Sequence, residues 1–163
     1  MKFFKPALIA GVLVMSTNTS SISQQHAAAD GPVLRIVNPP ALFDPAPNGF
    51  SHAVVATGVS RIAYIAGQGG ENGDGKLPPV FAEQVRQAYA NLRIALAAAG
   101  ARPNQVTKIT TYVVGYDQTM LEVMTRYVKE TFGDRLPAQT LVPVPRLALD
   151  GMLFEVDAIA VTH

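Results

Sequence analysis

Two carboxylates stand two positions apart in an otherwise apolar run near the end of the chain, Glu155 and Asp157 in the stretch MLFEVDAIAV. The alternation of a β-strand sends both side chains to the same face of a sheet. A carboxylate in such surroundings is costly unless it accepts hydrogen bonds or is put to use. Desolvation raises its pKa, which suits it to pass a proton to or from a water molecule. The spacing is equally compatible with a structural role in which both acids accept backbone or arginine donors at a strand edge. A second polar residue at the head of a strand-like run is Gln139, in LPAQTLVPV.

Other chemistries are poorly supplied. Gly67-Gln68-Gly69-Gly70 follows a strand-like run. A dinucleotide fingerprint, however, needs a third glycine where Asn72 stands and a helix at once, whereas Pro78-Pro79 intervene. The run reads as a glycine-rich turn. There is no Cys, and His52 and His163 have no partner at ligand spacing, so no metal site is expected. Ser51 and Ser60 sit in no nucleophile-elbow pattern, and His52 reads as an ordinary strand residue.

The elements that must position these groups begin after an N-terminal segment of a different kind. Met1 to Lys5 are basic, Pro6 to Met15 apolar, and a Ser/Thr/Gln stretch leads to His26-Ala27-Ala28-Ala29. That is the layout of a secretory signal peptide, residues 1–29, which predicts a periplasmic or secreted protein. The apolar run is shorter than the roughly 20 residues a permanent span needs, and no Cys exists to carry a lipid, so no stable membrane anchor is expected. Cleavage there removes Lys2 and Lys5 and no acid, turning 13 basic and 12 acidic residues into 11 and 12. No basic cluster remains to neutralise phosphates, which argues against nucleic acid as a partner, and no His pair is available to cleave RNA.

Residues 30–49 hold a short β-like run, Leu34 to Val37, and a loop with four prolines in NPPALFDPAPNGF. Residues 50–163 form the main domain. Ser51–Thr57 and Arg61–Ala66 read as a β-hairpin. Phe81, Val85, Ala88, Leu92 and Leu96 recur at helical steps up to Gly100, and Val106–Val114 is a strand. A second helix runs from a cap at Asp117 to Thr131, with Met120, Met124, Tyr127 and Val128 on one face and Gly133 as its stop. Two strands close the chain, Ala138–Val144 and Met152–Val161.

The order β-β-β-α-β-α-β-β predicts a two-layer α+β domain with two helices on one face of a mixed sheet. Apolar residues at both strand parities, as in Val54-Val55, predict that the second face is buried against other copies.

The stretches HAVVATGVSRIAYIAGQGG, EQVRQAYANLRIALAAAGARPNQVTKITTYVV and LPAQTLVPVPRLALDGMLFEVDAIAV together resemble the RidA/YjgF family of reactive intermediate deaminases, also called the endoribonuclease L-PSP family, from about Phe50 to Val161. The resemblance implies a chorismate-mutase-like fold and a homotrimer with small-molecule clefts at its subunit interfaces. It further implies hydrolysis of imine or enamine acids to keto acids and ammonia with no cofactor. The family's Pro-Ala-Arg-Ser signature stands here as Pro137-Ala138-Gln139-Thr140, so Gln139 falls where the carboxylate-gripping arginine is expected. Glu155 falls on the acid that positions the attacking water, with one extra residue in the turn near Leu149-Asp150-Gly151. Phe50 replaces a tyrosine, Tyr112 lines the cleft, and Gly67 matches the glycine of its wall. Two functions are therefore expected: a hydrolytic deaminase of altered specificity, or a periplasmic trimer that binds a small ligand without turning it over.

Overall fold

Residues 32–162 are described by a computed structural model; the segment read as a signal peptide, residues 1–29, lies outside them. The order is the expected one: β1 (Val33–Val37), β2 (Ala53–Thr57), β3 (Arg61–Gly69), α1 (Phe81–Ala98), β4 (Val106–Val114), α2 (Met120–Phe132), β5 (Ala138–Val144) and β6 (Phe154–Thr162). The architecture is α+β, with its strands divided between two sheets. A four-stranded sheet runs β3-β6-β4-β5, and β1 and β2 form a ribbon of their own. β4 and β5 are parallel, joined through α2, and the other pairs are antiparallel. A single bridge from Ser51 to Ala138 ties the ribbon to the β5 edge. The Ser51 hydroxyl donates to the Leu136 carbonyl at 2.7 Å, which gives this serine a structural role.

The expected hairpin of Ser51–Thr57 with Arg61–Ala66 does not form. β2 pairs with β1, Ala53 opposite Val37 and Thr57 opposite Val33, while β3 pairs with β6. Gly58, at φ +66°, turns the chain away between them. Pairing with β6 places Ile65 in the core, only 9% exposed. Burial against distant elements therefore outweighs the short connection that favours a local hairpin.

Both helices pack on one face of the four-stranded sheet. On α1, Val85, Ala88, Leu92 and Leu96 are fully buried at the expected spacing, Tyr89 is buried beside them, and Phe81 is only partly buried. In β6 the buried residues alternate, with Phe154, Val156, Ala158 and Ala160 meeting the helices. Each large apolar side chain withdrawn in this way contributes about 1.5–3 kcal/mol. α2 starts after Thr119 rather than on an Asp117 cap. The Asp117 carboxylate instead accepts the Thr119 backbone N–H at 2.7 Å and its hydroxyl, forming the turn into the helix. Gly100 and Gly133 end the two helices at φ +72° and +58°, as their positions predict.

A buried amide ties α1 to the turn before β6. Gln84 is 0% exposed; its Nε2 donates to the carbonyls of Pro78 (2.9 Å) and Gly151 (2.8 Å), and its Oε1 accepts the Leu153 N–H at 2.8 Å. Close by, a Cβ on Gly70 would meet the Gln84 Cα at 2.5 Å, so only glycine lets the end of β3 approach the helix backbone this closely. Among the described residues no helix is long and apolar enough to cross a membrane.

Among the described residues Tyr89 is the largest fully buried side chain, edge-on to Phe132 and tilted against Phe154, and its hydroxyl has no hydrogen-bond partner there. Burial pushes its phenol far above the ordinary tyrosine value. Because an unpaired buried hydroxyl costs about 1–3 kcal/mol, Tyr89→Phe is expected to raise stability by roughly 1 kcal/mol in denaturant unfolding. A loss of that size would show that the hydroxyl is served after all.

Candidate active site

Although β6 is the last strand of the chain, it lies between β3 and β4 in the sheet. Glu155 is therefore flanked by Gly69 on β3 and Tyr112 on β4, and Asp157 by Thr110. Both acids point away from the helices, on the face that their two-residue spacing requires. β3 carries one extra residue between Ile65 and Gln68, a bulge that re-aims this part of the strand. Gly67 sits in the bulge directly beneath the Glu155 side chain. A Cβ there would meet the carboxyl carbon at 2.5 Å and Cγ at 2.8 Å.

The two acids have different surroundings. Asp157 accepts the Thr110 backbone N–H at 3.0 Å and the Tyr112 hydroxyl at 3.1 Å. Burial, and after it the Asp157 hydrogen bond and charge, raise the Tyr112 phenol, which stays a neutral donor. Glu155 accepts no hydrogen bond from the described residues. Its half-burial first, then the negative charges of Glu71 and Asp157, raise it above the ordinary carboxylate value. Lys108 lies two positions before Thr110 and gives its ammonium protons to the Ile109 carbonyl (2.9 Å) and the Thr140 hydroxyl (2.6 Å). Burial lowers its pKa, and the Asp157 charge partly offsets this. A cavity of about 390 Å³ on this open face is lined by Tyr64, Gly67, Lys108, Thr110, Asp157 and Ile159 among others.

Gln139 lies on the other side of the sheet. It is level with Ile109 in the parallel β4–β5 register, and Ile109 is fully buried beneath the helices. A second cavity, of about 330 Å³, is lined there by Asn48, Phe50, Tyr116, Leu121, Gln139 and Leu141. The Gln139 amide donates weakly to the Thr111 hydroxyl at 3.4 Å, and its Oε1 is buried with no partner among the described residues. Within one chain, then, Gly67, Tyr112 and Glu155 come together on the open face, while Phe50 and Gln139 come together on the helix face. Arg146 does not join Gln139. β5 runs through Pro143 without losing register, and Arg146 lies beyond its end, paired with Asp150 at 3.6 Å.

Sequence reasoning did not single out Glu71, Lys108, Asn48 or Tyr116. The last three lie in stretches read only as strand, loop or helix approach. Glu71 stood in plain view in GQGGENGDG, an acid inside a glycine-rich turn that follows a strand. Among the described residues no group of three or more His, Cys, Asp or Glu is placed to hold a metal ion.

Residues 43–162 match the family model described as Endoribonuclease L-PSP. The chain belongs to this family, that of the RidA/YjgF proteins. YjgH of Escherichia coli K12, a RutC family protein, is 32% identical over 99 residues, 61% of this chain and 74% of YjgH. A RutC family protein of Pyrococcus horikoshii is 38% identical over 78 residues, and the match spans 60% of that protein and 48% of this chain. Among solved structures, YyfB from Yersinia pestis, of the conserved Rid protein family, is 34% identical with a TM-score of 0.75 and covers 78% of this chain and 98% of its own. RidA from the Antarctic bacterium Psychrobacter is 26% identical with a TM-score of 0.57, over 69% of this chain and 87% of its own. The RidA-type α+β fold, two helices over a mixed sheet, is thus shared.

Proposed function

We propose that the protein is a cofactor-independent hydrolytic deaminase of imine or enamine small molecules, with a specificity shifted away from the strongly anionic imino acids. The observation that carries this reading is Glu155, held over Gly67 with no hydrogen bond from the described residues and a raised pKa. Such a group accepts a proton from water as the oxygen attacks the C=N carbon. It returns that proton to nitrogen to give the carbinolamine, then takes the hydroxyl proton as the carbonyl forms and passes it to nitrogen as the C–N bond breaks, leaving a carbonyl compound and ammonia. In the proposed assembly three copies join through the open sheet face, where Ile62 and Tyr64 are 54% and 75% exposed. The helix-side cavity of one copy, with Phe50 and Gln139, then opens toward Gly67, Tyr112 and Glu155 of a neighbour, and the protein works after export.

Gln139 supplies the altered specificity. A guanidinium grips a carboxylate with two charge-assisted bonds, whereas an amide offers neutral donors from a single nitrogen. The difference is about 1.5–3 kcal/mol, one to two decades in affinity. The same neutral amide, its Oε1 unpartnered beside an apolar cavity, favours the second reading, a non-catalytic small-ligand-binding trimer of the periplasm.

The deciding experiment is ammonia and keto-acid release from freshly generated 2-iminobutanoate by the protein, its Gln139→Arg variant and its Glu155→Ala variant. Slow turnover by the native protein, a gain of roughly tenfold or more in Gln139→Arg and loss in Glu155→Ala are expected. Turnover untouched by Glu155→Ala removes this carboxylate from the mechanism. No turnover by either of the other proteins, together with thermal stabilisation by an unchanged ligand, leaves the binding reading.

A further inference from the structure

One acid near the candidate site has no part in the chemistry above. Glu71 follows β3 in a loop that closes on itself, Asn72 N–H to the Lys76 carbonyl at 2.9 Å, with the Asn72 carboxamide oxygen accepting the N–H groups of Asp74 and Lys76. From α1, the Asn91 amide donates to the carbonyls of Gly69 and Glu71, both at 2.9 Å, and so fixes the backbone at Glu71. The side chain returns over Gly69, where a Cβ would collide with the Glu71 carboxylate and with Met152. Gly69 is itself the β3 partner of Glu155, whose own side chain covers Gly67. Two carboxyl groups thus lie above one three-residue stretch, and glycine at both of its ends leaves them room.

Neither carboxyl group has a cationic partner among the described residues. The Glu71 Oε2 is buried and has no hydrogen-bond partner, and the ion pairs among the described residues, Arg126–Glu130 and Arg146–Asp150, involve neither acid. Within one chain, the described groups that face Glu155 are Glu71 from the loop, Asp157 from its own strand and the Tyr112 phenol from β4. Lys108 stands beyond Asp157 and is turned to Thr140. α1 packs on the opposite face of the sheet. Asp157 is already served by the Thr110 N–H and the Tyr112 hydroxyl. Glu71 is the neighbour whose carboxylate has no ion pair among the described residues.

We propose that Glu71 is a positioning residue for the reaction, its carboxylate above Gly69 helping to hold a proton on the Glu155 carboxylate above Gly67. Two carboxylates in partly desolvated surroundings repel, and one proton on Glu155 relieves the repulsion. With Glu71 present, Glu155 is the stronger base and holds the proton taken from water until the nitrogen leaves. Without it, Glu155 titrates closer to an ordinary glutamate and holds that proton less well. This inference rests on the reading of Glu155 as the reacting carboxylate.

The test is a carbon NMR titration of the Glu155 side-chain carboxyl in the full chain, compared with Glu71→Gln. The midpoint is expected to fall in the variant, while Glu83→Gln, which removes an exposed acid from the first turn of α1, leaves it in place. An unmoved midpoint in Glu71→Gln, or an equal fall in Glu83→Gln, overturns the proposal. Should Glu71→Gln not fold, Glu71→Asp withdraws the charge by one methylene and is expected to lower the midpoint by a smaller amount; no change in that folded variant also overturns it. Where turnover is measurable, the acid limb of its pH profile moves down by the same amount in Glu71→Gln. The titration needs no turnover, so an inactive protein defeats the deaminase reading while the NMR midpoints still decide the role of Glu71.

Discussion

Gln84→Ala is expected to lose about 3–5 kcal/mol of folding free energy, measured by denaturant unfolding. The amide of Gln84 serves three backbone groups, the carbonyls of Pro78 and Gly151 and the N–H of Leu153, at 2.8–2.9 Å from a position that is 0% exposed. Alanine leaves a buried donor unpaired, which costs about 1–3 kcal/mol by itself. It leaves a cavity in a packed interface as well, adding to the loss in proportion to its volume. The consequence reaches the candidate site, because Gly151 and Leu153 hold the turn that delivers Glu155 to β6. A loss below about 1 kcal/mol would mean that the turn keeps its shape without the amide.

Gly67→Ala is expected to leave the protein folded, at a cost of about 1–3 kcal/mol, and to lower the proposed deaminase turnover by about 100-fold. The new methyl group collides with the Glu155 carboxyl carbon and Cγ, and its three nearest neighbours all belong to that flexible side chain. The glutamate side chain can rotate off, which spares the fold and misplaces the carboxylate. A double-mutant cycle gives the sharper reading: in a Glu155→Ala background the collision is gone, so Gly67→Ala should cost close to nothing in stability. Equal costs in the two backgrounds would show that Gly67 serves the bulge in β3 rather than Glu155.

Several of these elements can be read from the chain alone. The steps of three and four from Val85 to Leu96 give the buried face of α1, and Gly100 and Gly133 mark where both helices stop. The two-residue spacing of Glu155 and Asp157 assigns them one face of a strand. Tyr89 and Gln84 were harder to see. A tyrosine and a glutamine at these positions look like the margin of an amphipathic stripe, yet both are fully buried, because neighbouring elements supply partners that local sequence does not contain. The β2–β3 hairpin fails for the same reason. A short connection favours local pairing, and the choice was made by β1 on one side and β6 on the other.

Residue types and their periods therefore determined the element order, the α+β class, the family likeness and the shared face of the two acids, all of which depend on neighbours a few positions apart. Tertiary structure alone decided that β6 enters between β3 and β4, bringing Glu155 over Gly67 and beside Tyr112 from opposite strands. It also decided that Gln139 and Phe50 lie on the helix face and Glu155 on the open one. Strand neighbours are chosen by burial summed over contacts many tens of residues apart, and a period of two in one strand does not specify which strand will lie beside it.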